Sequence, residues 1–227
     1  MSVSEERTAQ PSAAVPAPVP AIADPAPLGL AGFALTTFLL SAKNAGWMTS
    51  ATGSAWLGYA FAYGGLCQLL AGMWEFRNRN VFGATAFSSY GGFWIGLGLY
   101  IQLVVNPAVA AATAHPVLLP ATVTAINHDL GWILLAFAIF NTYMLALSTQ
   151  VSMAVFAVFL TLELTEIVLF IGNFMLGHAA TSGIIKTGGY IGIVTALVAW
   201  YTSMAGVANG IAGARFRLPV GRPLLSA

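Results

Sequence analysis

The chain alternates between long apolar runs and short stretches of polar or turn-forming residues. A transmembrane helix needs about 20 mainly apolar residues, and six of the runs are long enough. A membrane β-barrel would instead show shorter units that alternate with period two. The pattern therefore predicts an all-α, polytopic integral membrane protein with six transmembrane helices. The predicted spans are 29–49, 55–76, 82–105, 129–147, 151–176 and 184–211.

Arginines are distributed unevenly among the connections. Arg77 and Arg79 lie between the second and third spans, and three more arginines follow the sixth, whereas the connections after the first, third and fifth spans contain none. Because positive residues concentrate on the cytoplasmic side, this pattern predicts cytoplasmic termini and a multi-pass protein of the cytoplasmic (inner) membrane. Glu75 is expected to join the two arginines in a solvated cytoplasmic corner. The outer connection 106–128 is expected to be a loop or a short interfacial helix.

Composition excludes an ordinary soluble domain. With 58% hydrophobic and only 7% charged residues, a chain of 227 residues has too little polar surface to cover a globule. The net charge of +1 provides no basic face for a nucleic acid. The single cysteine, Cys67, lies within an apolar run and is expected to pack there.

Three regions follow from these patterns. Residues 1–27 are rich in proline and alanine and are predicted to form a disordered cytoplasmic tail. They lack the basic segment and apolar segment of a secretory signal peptide. Residues 28–214 are predicted to form the six-helix transmembrane domain, and 215–227 a short cytoplasmic tail.

Glycines recur at four-residue spacing in several spans. The pairs are Gly92 with Gly96, Gly188 with Gly192, and Gly206 with Gly210. In lipid, such spacing allows helices to approach closely where no hydrophobic drive brings them together. Ordinary packing within one protomer explains each pair, and a protomer interface or a narrow pore is the alternative.

Several short motifs resemble the acetate uptake transporter family, which includes the bacterial succinate-acetate permease. Residues 24–30 read Asp-Pro-Ala-Pro-Leu-Gly-Leu, close to the family signature Asn-Pro-Ala-Pro-Leu-Gly-Leu. The resemblance covers about residues 24–220. Further matching motifs are Tyr-Gly-Gly at 63–65, Thr-Ala-Phe at 85–87, Ser-Tyr-Gly at 89–91, Ile-Gly-Asn at 171–173 and Gly-Tyr-Ile-Gly at 189–192.

This resemblance implies a six-helix protomer with its own pore, assembled as a ring of six in the membrane. It implies passage of acetate, with succinate and other small carboxylates as further candidates. In the family a phenylalanine, a tyrosine and a leucine form the narrowest constriction. By motif these are Phe33, Tyr90 and Leu162. Because the leucine is counted back from the Ile-Gly-Asn motif, Leu160 and Leu164 stay open as alternatives.

Acetate has a methyl end and a carboxylate end, and a transport site must hold both without trapping either. An aromatic and aliphatic constriction accepts the methyl group, while hydroxyl and amide donors replace the hydration of the carboxylate. An interhelical hydrogen bond is the alternative role for every such donor. The candidate substrate-binding residues with uncharged polar side chains are Thr36, Thr37, Asn44, Gln68 and Asn173.

Two departures from the family pattern introduce carboxylates. Asp24 replaces the usual asparagine, and it is expected to cap the first helix rather than meet the permeant anion. Glu163 and Glu166 lie on one face of the fifth span, where the bacterial permeases are mostly apolar. Intramembrane carboxylates are costly and mark functional sites. One of the two is hypothesised to carry a proton with acetate, and a structural hydrogen bond at a protomer interface is the alternative.

The sequence predicts a membrane transporter rather than an enzyme, with no cofactor. Its histidines lie far apart, so no metal site is predicted, and no span carries a His-Glu-x-x-His motif. The predicted partners are acetate or another small carboxylate, membrane lipid and further copies of the chain. A passive anion channel, a proton-coupled symporter and a non-transporting acetate sensor stay open as alternatives.

Overall fold

The computed structural model describes residues 22–48, 54–179 and 181–225. These residues form six consecutive helices, numbered here α1 to α6. They are α1 (Ala26–Asn44), α2 (Ala55–Phe61, Ala62–Cys67 and Gln68–Arg77 in succession), α3 (Val81–Tyr100, Ile101–Val105 and Asn106–Ala114 in succession), α4 (Leu119–Ser148, preceded by a 3-10 turn at Pro116–Leu118), α5 (Met153–Met175) and α6 (Gly183–Gly210).

The predicted all-α, polytopic class is confirmed. Each predicted span coincides with one helix, and the three described ranges contain no strand. Five of the helices are long and apolar enough to cross a membrane. The other, α2, is less apolar because it includes Gln68 and Glu75, both of which are buried.

A π-helical turn interrupts α2 at Ala62–Cys67, next to α1. A Cβ atom at Gly64 would lie 2.7 Å from the Cβ of Thr36, so the two helices approach this closely only because residue 64 is a glycine. The Thr36 hydroxyl donates to its own helix at the Gly32 carbonyl, 3.1 Å away. The π turn therefore forms part of a tight contact between α1 and α2.

The connection between α3 and α4 is more helical than predicted. Instead of a loop or a short interfacial helix over 106–128, the two spans themselves extend into this region, since α3 continues to Ala114 and α4 begins at Leu119. Pro120 lies in the first turn of α4, where a missing N–H group removes no helical hydrogen bond. Pro107 lies inside α3, just after the π-helical turn at Ile101–Val105, so the helix changes its hydrogen-bond pattern next to this proline and then continues.

Small residues bring α1 and α6 together in an extensive helix pairing. A Cβ atom at Gly189 would lie 2.8 Å from both the carbonyl carbon of Asn44 and the carbonyl oxygen of Ser41. A side chain at Gly192 would overlap Ser41 in the same way. The α1 backbone therefore sits directly on α6, as expected for helices in lipid.

Two of the glycine pairs have different surroundings. Gly188 and Gly192 pack inside the protomer, against α5 and α1. Gly92 and Gly96 are exposed, and a Cβ atom at either would meet no atom within 4 Å. Gly92 and Gly96 therefore lie on an open face of α3.

Both ends of the described chain contact the bundle. The Asp24 carboxylate accepts a hydrogen bond from the Ala26 N–H at 2.9 Å, which fits the capping role expected for it. After α6 the chain folds back, so that the Ala154 N–H at the start of α5 donates to the Val220 carbonyl at 2.8 Å. Most of the predicted N-terminal tail, residues 1–21, lies outside the described residues.

Glu75 is buried, so its expected place in a solvated corner was wrong. One oxygen accepts a hydrogen bond from the Asn78 amide at 3.1 Å, and the other has no partner among the described residues. The close approach of Gly83 on α3 covers this carboxyl group. Arg77 and Arg79 stay exposed at the same end of the bundle.

We expect Gly189→Ala to lower the free energy of unfolding by about 1–3 kcal/mol, because the added methyl group would overlap the α1 backbone. Thermal unfolding of the detergent-solubilised protein measures this change. Gly58→Ala is the matched control, since Gly58 is a helical glycine with open space around it. That variant should be neutral or slightly stabilised, and equal melting temperatures for both variants would contradict the packing described here.

Candidate functional site

Three cavities follow one another through the bundle. The basal cavity, about 500 Å³, lies at the start of α1 and is lined by Asp24, Asn80 and Val220 among others. The central cavity, about 50 Å³, is enclosed mainly by α1, α3 and α5. The distal cavity, about 250 Å³, shares several lining residues with the central one, including Asn44 and Leu169.

Phe33, Tyr90 and Leu162 lie between the basal and central cavities, and we call these three residues the collar. All three are buried and pack in one apolar cluster. The rings of Phe33 and Tyr90 meet edge to face, with centroids 5.7 Å apart. One helical turn away on the same helices, Leu30, Ala86 and Val158 line the basal cavity. The collar therefore closes the path between the two spaces.

Leu162 faces the collar, whereas the two alternatives on the same helix face outward. Leu162 is 6% exposed and lines the central cavity. Leu160 is 38% exposed and Leu164 is 47% exposed. The two-residue offset on a helix turns a side chain by about 200°, which explains the difference. Of the three leucines, Leu162 is the one that meets Phe33 and Tyr90.

Aromatic rings surround Tyr90 and hold its orientation. Its ring centroid lies 5.5 Å from that of Phe140, 5.8 Å from that of Phe137 and 6.3 Å from that of Phe93. These edge-to-face and tilted contacts leave the hydroxyl as the polar end of an otherwise apolar side chain. The hydroxyl therefore needs a partner inside the bundle.

That partner is a buried polar cluster between α3, α4 and α5. The Tyr90 hydroxyl lies 2.9 Å from Asn141 Oδ1 and 3.3 Å from Glu166 Oε1. Asn141 Nδ2 donates to Glu163 Oε2 at 2.7 Å and to the Phe159 carbonyl at 3.0 Å. The predicted carboxylate pair is therefore connected to the collar through Tyr90.

Sequence reasoning missed Asn141 and its neighbour Thr142. Asn141 is fully buried, and the Thr142 hydroxyl lies 2.8 Å from Glu163 Oε1. A polar pair inside the apolar span 129–147 was the signal that could have identified them. The partners could not be read from the sequence, because they lie 18 to 51 residues away along the chain.

Three of the predicted donors line the path. Thr37 lines the central cavity, Asn44 lines both the central and the distal cavities, and Asn173 lines the distal cavity. The Asn173 amide donates one hydrogen to the Leu169 carbonyl at 2.8 Å, and its NH2 group has a second hydrogen to donate. The exposed Lys43 also lines the distal cavity, with its ammonium 5.7 Å from the Trp56 ring centre.

Thr36 and Gln68 lie away from the path. Thr36 points to α2, where its hydroxyl is within 3.4 Å of the Tyr59 carbonyl. Gln68 is buried in α2, and neither residue lines any of the three cavities. Adjacent positions on α1 point in directions about 100° apart, so Thr36 and Thr37 cannot both face the same space.

A bundle of apolar helices with a closed path between two cavities defines a multi-pass membrane protein of the channel and transporter type. Within the described ranges, no group of three or more histidine, cysteine or acidic side chains is placed to hold a metal ion. Residues 6–220 match the GPR1/FUN34/yaaH family, and the chain belongs to that family. The resemblance inferred from the motifs is therefore confirmed.

Named relatives are bacterial and fungal. The chain is 34% identical over 200 residues to the succinate-acetate/proton symporter SatP of Escherichia coli K12, covering 88% of this chain and 96% of that protein. It is 38% identical over 203 residues to acetate permease A of Emericella nidulans, covering 87% of this chain but only 65% of the fungal protein. A solved structure of the bacterial acetate channel SatP matches with a TM-score of 0.72 and 32% identity, covering 88% of this chain and 100% of that one.

We expect Asn141→Leu to lower the free energy of unfolding by about 1–3 kcal/mol, because Tyr90 and Glu163 would each lose a buried partner. Thermal unfolding in detergent measures the loss. Asn106→Leu is the matched control, since Asn106 is exposed and its amide pairs only with Gln102 in its own helix. Equal melting temperatures for the two variants would show that the buried cluster does not stabilise the bundle.

Proposed function

We propose that the protein transports acetate and related small carboxylates, succinate among them, through a path within each protomer. The main support for the proposal is the position of the collar, Phe33, Tyr90 and Leu162, between the basal and central cavities. The names of the relatives, acetate permease and succinate-acetate/proton symporter, support the substrate class. Since the chain spans just under two thirds of the fungal protein, the bacterial relative is the fuller comparison.

The chemistry of the path suits a small carboxylate. The apolar collar accepts a methyl group and excludes bulk water, while hydroxyl and amide groups on its distal side replace hydration of the anion. Among the described residues that line the central cavity there is no lysine or arginine, so no fixed cation would trap the anion there. Thr37, Asn44 and Asn173 are the donors that we assign to this role.

Glu163 and Glu166 favour coupling to protons over passive conduction. Glu166 lines the central cavity and contacts the collar through Tyr90. A carboxyl group on an anion path must be neutral while the anion passes, because two negative charges at close range repel strongly in a low dielectric. Proton-coupled symport is therefore our preferred mode, and a passive anion channel is the alternative.

The setting of the proposal is a homo-oligomer in the cytoplasmic (inner) membrane, with both termini in the cytoplasm. Arginines at the basal end support this orientation by the positive-inside rule. The exposed face with Gly92 and Gly96 offers a surface on which another protomer can pack closely. A ring of six, which the family resemblance implies, is the stoichiometry that we propose.

We expect Leu162→Ala to change the flux of radiolabelled acetate into proteoliposomes at least severalfold, because it widens the collar. Entry of bulkier carboxylates such as succinate should rise relative to acetate. Leu160→Ala and Leu164→Ala are matched controls on the same helix, since both side chains face outward. If the outward variants altered selectivity as much as Leu162→Ala, the collar would not be the constriction.

An inward proton gradient should accelerate acetate uptake by the wild-type protein, as coupling through a carboxyl group requires. The measurement compares proteoliposomes with and without an imposed pH gradient, after subtraction of uptake by protein-free liposomes. Uptake that ignored the gradient but followed an imposed voltage would establish the channel alternative. Acetate binding without flux under either condition would establish a sensor and refute the proposed transport.

A further inference from the structure

Two hydroxyl groups in the buried cluster each face two acceptors. The Tyr90 hydroxyl contacts Asn141 and Glu166, and the Thr142 hydroxyl contacts Glu163 and the Ala138 carbonyl. A hydroxyl group carries a single hydrogen and can donate it to one partner only. In each case one contact is therefore left without a hydrogen, unless the partner supplies one.

The orientation of Asn141 decides where the Tyr90 hydrogen points. The Phe159 carbonyl can only accept a hydrogen bond, so the amide nitrogen of Asn141 must face it, at 3.0 Å. The carbonyl oxygen of Asn141 then faces Tyr90, at 2.9 Å, and takes its hydrogen. The remaining contact, 3.3 Å from the Tyr90 oxygen to Glu166 Oε1, needs a hydrogen on Glu166.

The position of Glu163 differs, because the Thr142 hydrogen is not needed elsewhere. The Ala138 carbonyl, 2.8 Å from the Thr142 hydroxyl, lies inside α4 and accepts a backbone N–H of that helix. Thr142 is therefore able to donate to Glu163 Oε1 at 2.8 Å, while Asn141 donates to Glu163 Oε2. The contacts of the cluster require a hydrogen on Glu166 alone.

The two acids differ in one respect. Both oxygens of Glu163 have partners, whereas Glu166 Oε2 is buried and has none among the described residues. The Thr37 hydroxyl is also buried and has no hydrogen-bond partner in the described part of the chain, and Thr37 and Glu166 line the same central cavity. Unsatisfied buried polar atoms are rare in folded proteins and call for a ligand or water.

The size of the central cavity limits what those atoms can bind. A single water needs roughly 10–15 Å³ of comparable space. At about 50 Å³, the central cavity accommodates a group of only a few heavy atoms, such as a carboxylate with a methyl group attached. The Thr37 hydroxyl and a protonated Glu166 would both donate to such a group.

We propose that Glu166 is a neutral acid in the closed protein, and that Thr37 and Glu166 Oε2 together bind the carboxylate of the substrate. Only the protonated form of Glu166 admits the anion, so Glu166 acts as the proton-dependent binding group and Glu163 as a structural acid. This inference rests on the proposed transport of small carboxylates and names the binding site within that path.

Among the described residues around Glu166 there is no cationic side chain that would compete with it for the substrate carboxylate. Tyr90 on α3 is the other titratable residue that lines the central cavity. Glu163 lies one turn earlier on α5, and α4 contributes the uncharged Asn141 and Thr142. Lys43 on α1 lines the distal cavity instead.

Binding would reorient two hydrogens without adding or removing any. The carboxyl group of Glu166 turns over, so that its hydroxyl oxygen donates to an oxygen of the substrate and its carbonyl oxygen faces Tyr90. That carbonyl oxygen then accepts the Tyr90 hydrogen, which leaves Asn141. The collar tyrosine thereby loses its hold on α4 while the substrate is bound next to it.

Infrared difference spectroscopy of the full-length protein tests the protonation states directly. The carbonyl stretch of a protonated carboxylic acid is separate from the carboxylate bands. We expect Glu166→Gln to remove one such band from the wild-type spectrum at neutral pH. Addition of acetate should shift that band in the wild type and in Glu163→Gln alike. If Glu166→Gln removed no band, or if acetate left that band in place, the proposal would be overturned.

Flux at equal pH on both sides of the membrane tests the binding role. Wild-type acetate flux should fall as the pH rises and Glu166 ionises, and Glu166→Gln, which is neutral at every pH, should abolish that fall. Glu163→Gln should keep a pH-dependent flux. A wild-type pH profile in Glu166→Gln would refute this inference, whereas an absence of flux in the wild type would refute the transport proposal itself.

Thr37→Val is a second variant, which keeps the shape of the side chain and removes the hydroxyl. We expect its KM for acetate to rise about five- to tenfold, the loss expected for one hydrogen bond. Thr37→Ser should restore most of the affinity. Thr36→Val is the matched control, because Thr36 faces α2, and its KM should stay at the wild-type value. Equal KM values for Thr37→Val and the wild type would remove Thr37 from the site.

Discussion

The hydrogen bonding of the Tyr90 hydroxyl is the interaction on which the collar and the packing of the bundle both depend. Its aromatic ring fills the collar, and its oxygen reaches Asn141 on α4 and Glu166 on α5. In a membrane, an apolar side chain gains little free energy by moving from lipid into the protein interior, because both are apolar. Polar contacts and close packing therefore hold the helices together. The side chain that closes the path therefore also joins three helices. A change at Tyr90 would also alter the packing of α4 and α5, because its hydroxyl oxygen contacts both helices.

Close backbone packing supplies the second constraint. Phe33 reaches the collar only if α1 lies at a fixed depth between α2 and α6. Glycines fix that depth, since a larger residue at position 64 or 189 would push its side chain into α1. Gly189 meets the α1 backbone itself, which cannot move aside as a flexible side chain would. Glycine on α2 and α6 thus positions an aromatic residue on α1, although neither glycine touches the path.

The sequence predicted the helices and the collar better than it predicted the polar partners. Length and apolarity located each span, because a hydrocarbon core imposes its thickness on every crossing helix. Motif resemblance located Phe33 and Tyr90, which the structure brings together. Thr36 and Gln68 look as suitable as Thr37 in the sequence, yet they face α2 or lie within it. Only helix rotation and the π turn in α2 separate them from the path, and neither has a clear sequence signal.

The same limit explains why Glu163 and Glu166 could be found but not told apart. Three-residue spacing places both on one face, and an apolar span makes both conspicuous. Their difference arises from α4, where Asn141 and Thr142 occupy every oxygen of Glu163 and leave one oxygen of Glu166 free. A carboxyl group with both oxygens bonded is fixed in place, whereas one with a free oxygen beside a cavity can exchange partners. Both acids are buried, so the division of roles that we propose for them follows from their hydrogen-bond partners.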